Sequence, residues 1–165
     1  MNDEKIEACK QEVKINPDDA DAHYNLGVVY DKLDKYEEAI ESYKQVIKID
    51  PDYAKAHYNL GVVYDKLGKY QEAIEAYKQA IRVDPDNAKA HSDLGWAYMQ
   101  SDKYEDSIEA YKQAIRVDPD NANAHSDLGR AYILLNDRDS ALEQYEILKN
   151  LDPELANQLF KVIHK

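Results

Sequence analysis

The five prolines of the chain are spaced 34 residues apart, at Pro17, Pro51, Pro85, Pro119 and Pro153. A second pattern, Leu-Gly followed three residues later by Tyr, recurs with the same period and begins at Leu26, Leu60, Leu94 and Leu128. Self-similarity at a fixed period of this length is typical of proteins in which like units stack and bury one continuous core. The spacing therefore predicts a stacked-repeat fold.

Each 34-residue repeat contains two helical patterns, here called helix A and helix B, with a break after each. The break between A and B falls at residue types that tolerate the left-handed conformation closing a helix, namely Asp34, Gly68, Asp102 and Asn136. The break after helix B falls at the proline, which disfavours helix for the residue before it, and a following Asp or Asn can cap the next helix. Helices A and B of one repeat are therefore expected to form an antiparallel hairpin.

The predicted organisation is one domain over residues 1–165. Residues 1–19 align with the second half of a repeat, so we expect them to supply a helix B alone. The four full repeats are 20–53, 54–87, 88–121 and 122–155. Residues 156–165 are predicted to form a C-terminal capping helix. The side chains expected to cover the end of the stack are Leu155, Leu159, Val162 and Ile163.

The formal net charge of −12 restricts the partners of the chain. Nucleic acid is excluded because phosphate binding needs clustered Lys and Arg, and an anionic membrane surface would be repelled. No apolar run approaches the roughly 18 residues of a membrane-spanning helix, so we expect no direct membrane insertion. Cys9 is the single cysteine, and the first residues lack the apolar core of a signal peptide. The expected location is cytoplasmic, and the expected partners are basic proteins or peptides.

Residues at fixed places in each repeat resemble the signature of the tetratricopeptide repeat (TPR) family. In the second repeat they are Leu60, Gly61, Tyr64, Ala73, Tyr77, Ala80 and Pro85. The other repeats match closely, except that Val46 and Leu148 replace the small residue at Ala80 and Ser107 replaces Ala73. The resemblance implies an all-α fold, a right-handed α-solenoid of stacked antiparallel helix hairpins. The glycine is expected to let two helices approach closely, with tyrosine rings filling the space beside it.

No catalytic or metal-binding motif emerges from the sequence. Histidines recur at His23, His57, His91 and His125, but equivalent positions of stacked helix pairs lie about 10–20 Å apart. Because zinc ligands lie about 2.1 Å from the metal, we expect hydrogen-bonded structural histidines rather than a metal site. Cys9 has no partner base in the sequence, and no phosphate-binding loop or nucleophile motif is present. The chain is predicted to be no enzyme and to bind no cofactor and no metal.

The family resemblance implies a peptide-binding groove on the concave face, formed by outward positions of helix A. The predicted site residues are Tyr24, Asn25, Val28, Asp31, Tyr58, Asn59, Val62, Asp65, Ser92, Asp93, Trp96, Met99, Asp127, Arg130 and Ile133. Trp96 is the only tryptophan, and aromatic anchors dominate interface energies. Asn25 and Asn59 match asparagines that some family members use to hold a peptide main chain, whereas Asp93 and Asp127 favour a basic ligand residue.

The leading hypothesis is a non-enzymatic scaffold or adaptor that binds an extended peptide or partner helix in this groove. The expected ligand carries apolar or aromatic residues together with basic ones. One alternative is a self-assembling module that forms homo-oligomers through its open end or its groove. Another is the recognition segment of a larger enzyme such as a glycosyltransferase.

Overall fold

The computed structural model describes residues 2–164, and these residues form helices joined by short turns, with no strand. The chain divides into two compact units, of which the first ends at Pro85 and the second begins at Asp86. The prediction of an all-α helical repeat solenoid is confirmed.

The first unit contains α1 (Asn2–Ile15), α2 (Ala20–Asp31), α3 (Tyr36–Ile49), α4 (Ala54–Lys66) and α5 (Tyr70–Val83). The second unit contains α6 (Ala88–Gln100), α7 (Tyr104–Val117), α8 (Ala122–Leu134), α9 (Arg138–Leu151) and α10 (Pro153–Ile163). Within each unit every helix packs against the next one along the chain, and α10 also packs against α8. Helix A of the four repeats is therefore α2, α4, α6 and α8, and helix B is α3, α5, α7 and α9.

The turn between helix A and helix B has the same geometry in all four repeats. The residue that closes helix A has a positive φ of 56° at Asp34, 68° at Gly68, 57° at Asp102 and 59° at Asn136. The next backbone N–H donates to the carbonyl of the repeated tyrosine, as from Lys35 to Tyr30 at 3.0 Å. This pair of features is a Schellman motif, which satisfies carbonyls left unpaired at a helix end. The predicted left-handed positions are confirmed.

Three of the recurring histidines close the turn that precedes helix A. The Nε2 atoms of His23, His57 and His125 lie 2.9, 2.8 and 3.0 Å from the carbonyl oxygens of Pro17, Pro51 and Pro119. Since a carbonyl oxygen only accepts, Nε2 carries the proton and donates. These histidines are hydrogen-bonded parts of the fold, as the sequence predicts.

A glycine of helix A faces a buried tyrosine of helix B in the first three repeats. A Cβ atom added at Gly27, Gly61 or Gly95 would lie 2.7, 2.6 or 2.8 Å from the ring of Tyr43, Tyr77 or Tyr111. All three rings are fully buried. The two helices therefore approach to a distance at which only glycine fits.

The fourth repeat differs from this pattern. A Cβ atom at Gly129 would lie 2.5 Å from Leu159 of α10, whereas the ring of Tyr145 packs against Phe160 at a centroid distance of 5.3 Å. The expectation that Tyr145 fills the space beside this glycine is wrong, because α10 inserts a leucine there.

Of the side chains expected to cover the end of the stack, Leu159 and Ile163 on α10 are buried and Leu155 is half-buried. Val162 is exposed, so its predicted contribution to the cover is wrong. Asp152 accepts hydrogen bonds from the backbone of Glu154 and Leu155 and so caps α10 directly after α9. No helix of the described residues is long and apolar enough to span a membrane.

We predict that Gly61→Ala lowers the free energy of unfolding by about 1–3 kcal/mol, because the new Cβ would overlap the Tyr77 ring. Chemical denaturation followed by circular dichroism measures the change. The matched control is Gly68→Asn, since Asn136 adopts the same left-handed conformation at the equivalent turn. An alanine variant as stable as wild type would contradict the close approach.

Candidate functional site

The fifteen predicted site residues are here called the A face, a set that lies on α2 and α4 in the first unit and on α6 and α8 in the second. Asn25 and Trp96 are exposed, and every other member is half-buried. The A face is therefore neither part of the core nor fully solvated. The two compact units of the chain differ in the contacts that these side chains make within the protein.

In the first unit, the A face is organised around Tyr24. Its ring centroid lies 5.9 Å from that of Tyr43 and 5.2 Å from that of Tyr53. The side-chain nitrogen of Asn59 lies 3.0 Å from the Tyr24 hydroxyl and 3.4 Å from the Tyr43 hydroxyl. The amide of Asn59 is thus engaged within the protein, whereas Asn25 is exposed to solvent.

Tyr53 belongs to this cluster, although it is not among the site residues predicted from the sequence. Its hydroxyl donates to Asp21 at 2.6 Å, and burial together with this contact raises the pKa of Tyr53. The residue before helix A is Asp19, Asn87 or Asn121 in the other repeats, where it caps the helix through its side chain. The tyrosine at this one position was the feature of the sequence that could have identified Tyr53, since its side chain cannot cap α4 in that way.

Asp31, Tyr58 and Val28 of the A face also make internal contacts. Lys66 donates to Asp31 at 2.6 Å, so the charge of Asp31 is compensated by the chain itself. The Tyr58 ring lies 5.8 Å from that of Tyr77, and Val28 packs against the core. This unit therefore offers a surface of tyrosine rings with little uncompensated charge.

The second unit has an open cleft of about 520 Å³ between α6 and α8. It is lined by Ala88, Lys89, Ser92, Asp93, Trp96, Asp118, Asn121, Asn123, Ala124 and Asp127. Four of the predicted site residues, Ser92, Asp93, Trp96 and Asp127, thus line one cavity. Trp96 is 39% accessible and presents its side chain to solvent within the cleft.

The cleft has a negative electrostatic character. Burial raises the pKa of Asp127, and the Arg130 guanidinium, at a long 3.4 Å, opposes this shift only in part. Burial also raises the pKa of the Tyr111 hydroxyl, and the charges of Asp127 and Asp93 raise it further. Both carboxylates therefore act on the same buried hydroxyl, and a positive charge in the cleft would be stabilised.

Three predicted residues of the second unit, Met99, Arg130 and Ile133, do not line the cleft. Ile133 packs against the core formed by α9 and α10. Conversely, Asp118 and Asn121 line the cleft but were not predicted, because they precede helix A. The repeated Asp-Pro-Asp-Asn turn was the available signal, since a turn before a helix lies beside its first residues.

Metal binding and thiol chemistry can be assessed over the part of the chain that the structure describes. No group of three or more His, Cys, Asp or Glu side chains in that part is placed to hold a metal ion. Burial, and secondarily the charge of Glu12, raises the pKa of the Cys9 thiol, which disfavours the nucleophilic thiolate.

Solved structures similar to this one are helical repeat proteins. A crystal structure of MamA is 29% identical in sequence and superposes with a TM-score of 0.86, covering 92% of this chain and 89% of its own. Residues 41 to the end of MamA from Desulfovibrio magneticus RS-1 are 25% identical, with a TM-score of 0.85 and coverage of 93% and 86%. TTC0263, a thermophilic TPR protein of Thermus thermophilus, is 25% identical, with a TM-score of 0.69 and coverage of 99% and 91%.

Comparison with family models places the repeats in one family. One model described as a TPR repeat matches residues 31–68 and 95–136. Two models described as tetratricopeptide repeats match residues 54–87, and residues 8–41 and 76–109. No curated protein sequence matches the chain. The matched segments run without a gap from residue 8 to residue 136, and the chain belongs to the tetratricopeptide repeat family.

Proposed function

We propose that this chain is a non-catalytic protein-interaction module whose second unit binds a partner segment carrying basic and apolar side chains. The repeat family and the similarity to MamA support a protein-interaction scaffold in general terms. One observation carries the finer proposal, which is the exposed Trp96 in the same cleft as three carboxylates, those of Asp93, Asp118 and Asp127.

Trp96 supplies the apolar part of this interaction. The equivalent residues of the other repeats are Val28, Val62 and Arg130, so the fold itself does not require an indole at this position. A tryptophan that is partly exposed in a concave site can bury a large area when a ligand binds. Such aromatic residues account for a disproportionate share of binding energy in protein interfaces.

The carboxylates supply the charged part. Asp127 is half-buried, and its raised pKa indicates that the protein compensates its charge incompletely. A ligand guanidinium or ammonium group would supply the missing compensation in a site where charge interactions are stronger than in bulk water. The exposed Asp118 contributes a weaker attraction that falls as salt is added.

A second copy of the chain is the competing ligand, because repeat modules can associate with one another. The net charge of −12 on each copy opposes such association at low ionic strength. Sedimentation velocity over a range of concentrations separates the two cases. A monomer at all concentrations is expected, and a dimer that dissociates when Trp96 is replaced would assign the cleft to self-association.

We predict that Trp96→Ala weakens peptide binding by about 30-fold or more, the effect of losing a hot spot of about 2 kcal/mol. The ligands are peptides selected on the wild-type protein from a phage-displayed random library, and we expect enrichment of Lys, Arg and aromatic residues. Because the chain has one tryptophan, its fluorescence reports binding to the wild type directly. Fluorescence anisotropy of labelled peptides then measures the variants.

The matched control is Val62→Ala, which truncates the equivalent residue one repeat earlier and is expected to retain wild-type affinity. Equal binding of the selected peptides to wild type and Trp96→Ala would rule out the cleft as the site. Selection of acidic rather than basic peptides would rule out its electrostatic part.

We also predict that Asp127→Asn raises the melting temperature at pH 7. The folded-state pKa lies above its ordinary value of 3.8, so the ionised carboxylate destabilises the fold at neutral pH. The loss of stability caused by the ionised carboxylate is greatest above the raised pKa. It vanishes below 3.8, where Asp127 is protonated in both the folded and the unfolded state. The advantage of the variant should therefore shrink as pH falls, which melts between about pH 3 and pH 7 would measure.

Asp93→Asn is the control for the loss of one cleft charge. A lower melting temperature of Asp127→Asn at neutral pH would mean that the contact with Arg130 outweighs the burial penalty.

A further inference from the structure

The first unit has two equivalent apolar cavities on the side opposite the A face, here called the first and second sockets. The first, of about 390 Å³, lies between α1, α2 and α3, and the second, of about 440 Å³, between α3, α4 and α5. Each residue that lines the first socket has its counterpart 34 positions later in the second, as Leu26 has Leu60. The sockets are thus a repeated feature of the hairpin stack.

Their position separates them from the A face. On helix A of each repeat, the socket residues are the fourth, seventh and eleventh, as in His57, Leu60 and Tyr64. With 3.6 residues per turn, these lie on the opposite side of the helix from the A-face positions, such as Tyr58 and Val62. A ligand of the sockets therefore does not compete for the A face.

The sockets combine an apolar floor with an acidic rim. Leu26 and Tyr30 form part of the first floor, and Glu37, Glu38 and Glu41 line its edge. The second socket has the corresponding Leu60 and Tyr64, with Glu72, Glu75 and one lysine, Lys44, at its edge. Glu41 pairs with Lys44 at 4.0 Å, and Glu75 pairs with Lys78 at 3.7 Å. The other three carboxylates leave the rims with an excess of negative charge, which favours a cationic partner.

The fourth repeat has a larger side chain at one position of the socket floor. The floor residue is small in the first unit, Ser42 in one socket and Ala76 in the other. The equivalent residue of the fourth repeat is Gln144, which is 8% accessible and contacts the His125 ring at 2.8 Å. His125 is the counterpart of the socket histidines His23 and His57. A larger side chain at this position therefore occupies space that the first unit leaves open.

We infer that the two sockets bind a basic amphipathic helix of another protein, with one large apolar side chain in each socket and Lys or Arg beside the rim glutamates. The two sockets are equivalent positions of successive repeats, which lie about 10–20 Å apart. Two side chains two turns apart on a helix span about 10.8 Å along its axis, which falls within this range. The acidic rim argues against a second copy of this chain, whose net charge is −12.

The test uses the full chain and a fluorescein-labelled helical peptide of alanine and lysine with two leucines about two turns apart. The control peptide has alanine at both leucine positions and the same charge. We expect the leucine peptide to bind wild type at least about 10-fold more tightly than the control peptide, since each buried leucine contributes hydrophobic binding energy. Its addition should leave the emission of Trp96 unchanged.

The decisive variant is Ser42→Gln with Ala76→Gln, which copies the residue that the chain has at Gln144. It should abolish the difference between the two peptides while retaining the weak electrostatic binding of both. Circular dichroism and thermal melting establish that it folds. If it does not, Glu38→Gln with Glu72→Gln provides the test, against the control Glu143→Gln with Glu146→Gln, which removes the same charge from α9.

We expect the Glu38 and Glu72 pair to weaken binding of the leucine peptide at least about fivefold more than the α9 pair, because only the former lies at the rim. Equal affinity of the leucine and control peptides for wild type overturns the inference. So does wild-type binding by the filled variant, or a peptide effect on Trp96. Loss of a wild-type dimer in the filled variant would assign the sockets to a second copy instead.

Discussion

One glycine and one buried tyrosine set the distance between the two helices of a hairpin in the first three full repeats. The ring of Tyr43, Tyr77 or Tyr111 occupies the space that any Cβ on the facing glycine would need. Because the rings are fully buried, they cannot move aside without opening the core. This contact determines the rotation of helix A against helix B. It therefore determines which side chains form the A face and which line the sockets.

The 34-residue period was sufficient to predict this arrangement wherever a repeat has the same neighbours as the others. The left-handed residues at Asp34, Gly68, Asp102 and Asn136 are examples, because their conformation depends on a local turn. Gly129 is the exception, since the atom that meets it comes from Leu159, outside the repeat. A pattern within one repeat cannot show which side chain of a following helix will compete for the same space.

The candidate site shows the same limit. Helical periodicity was enough to select the residues of the A face, but it could not show which of them the protein would use internally. Asn59 contacts two tyrosines and Asp31 pairs with Lys66, whereas Trp96 is exposed in an open cleft. These outcomes depend on contacts between different repeats, such as that between Asp31 and Lys66, 35 residues apart. The same reasoning explains why Tyr53, a residue in a turn, was missed.

The bond from His23, His57 or His125 to the carbonyl of the preceding proline spans only six residues. It fixes the direction in which helix A leaves the turn without help from a distant segment. Proteins dominated by such local contacts fold faster than those that must first close long loops. In an array of this kind, folding can begin in one repeat and spread to its neighbours. The first repeats can therefore acquire their hairpin geometry while the later ones are still being synthesised.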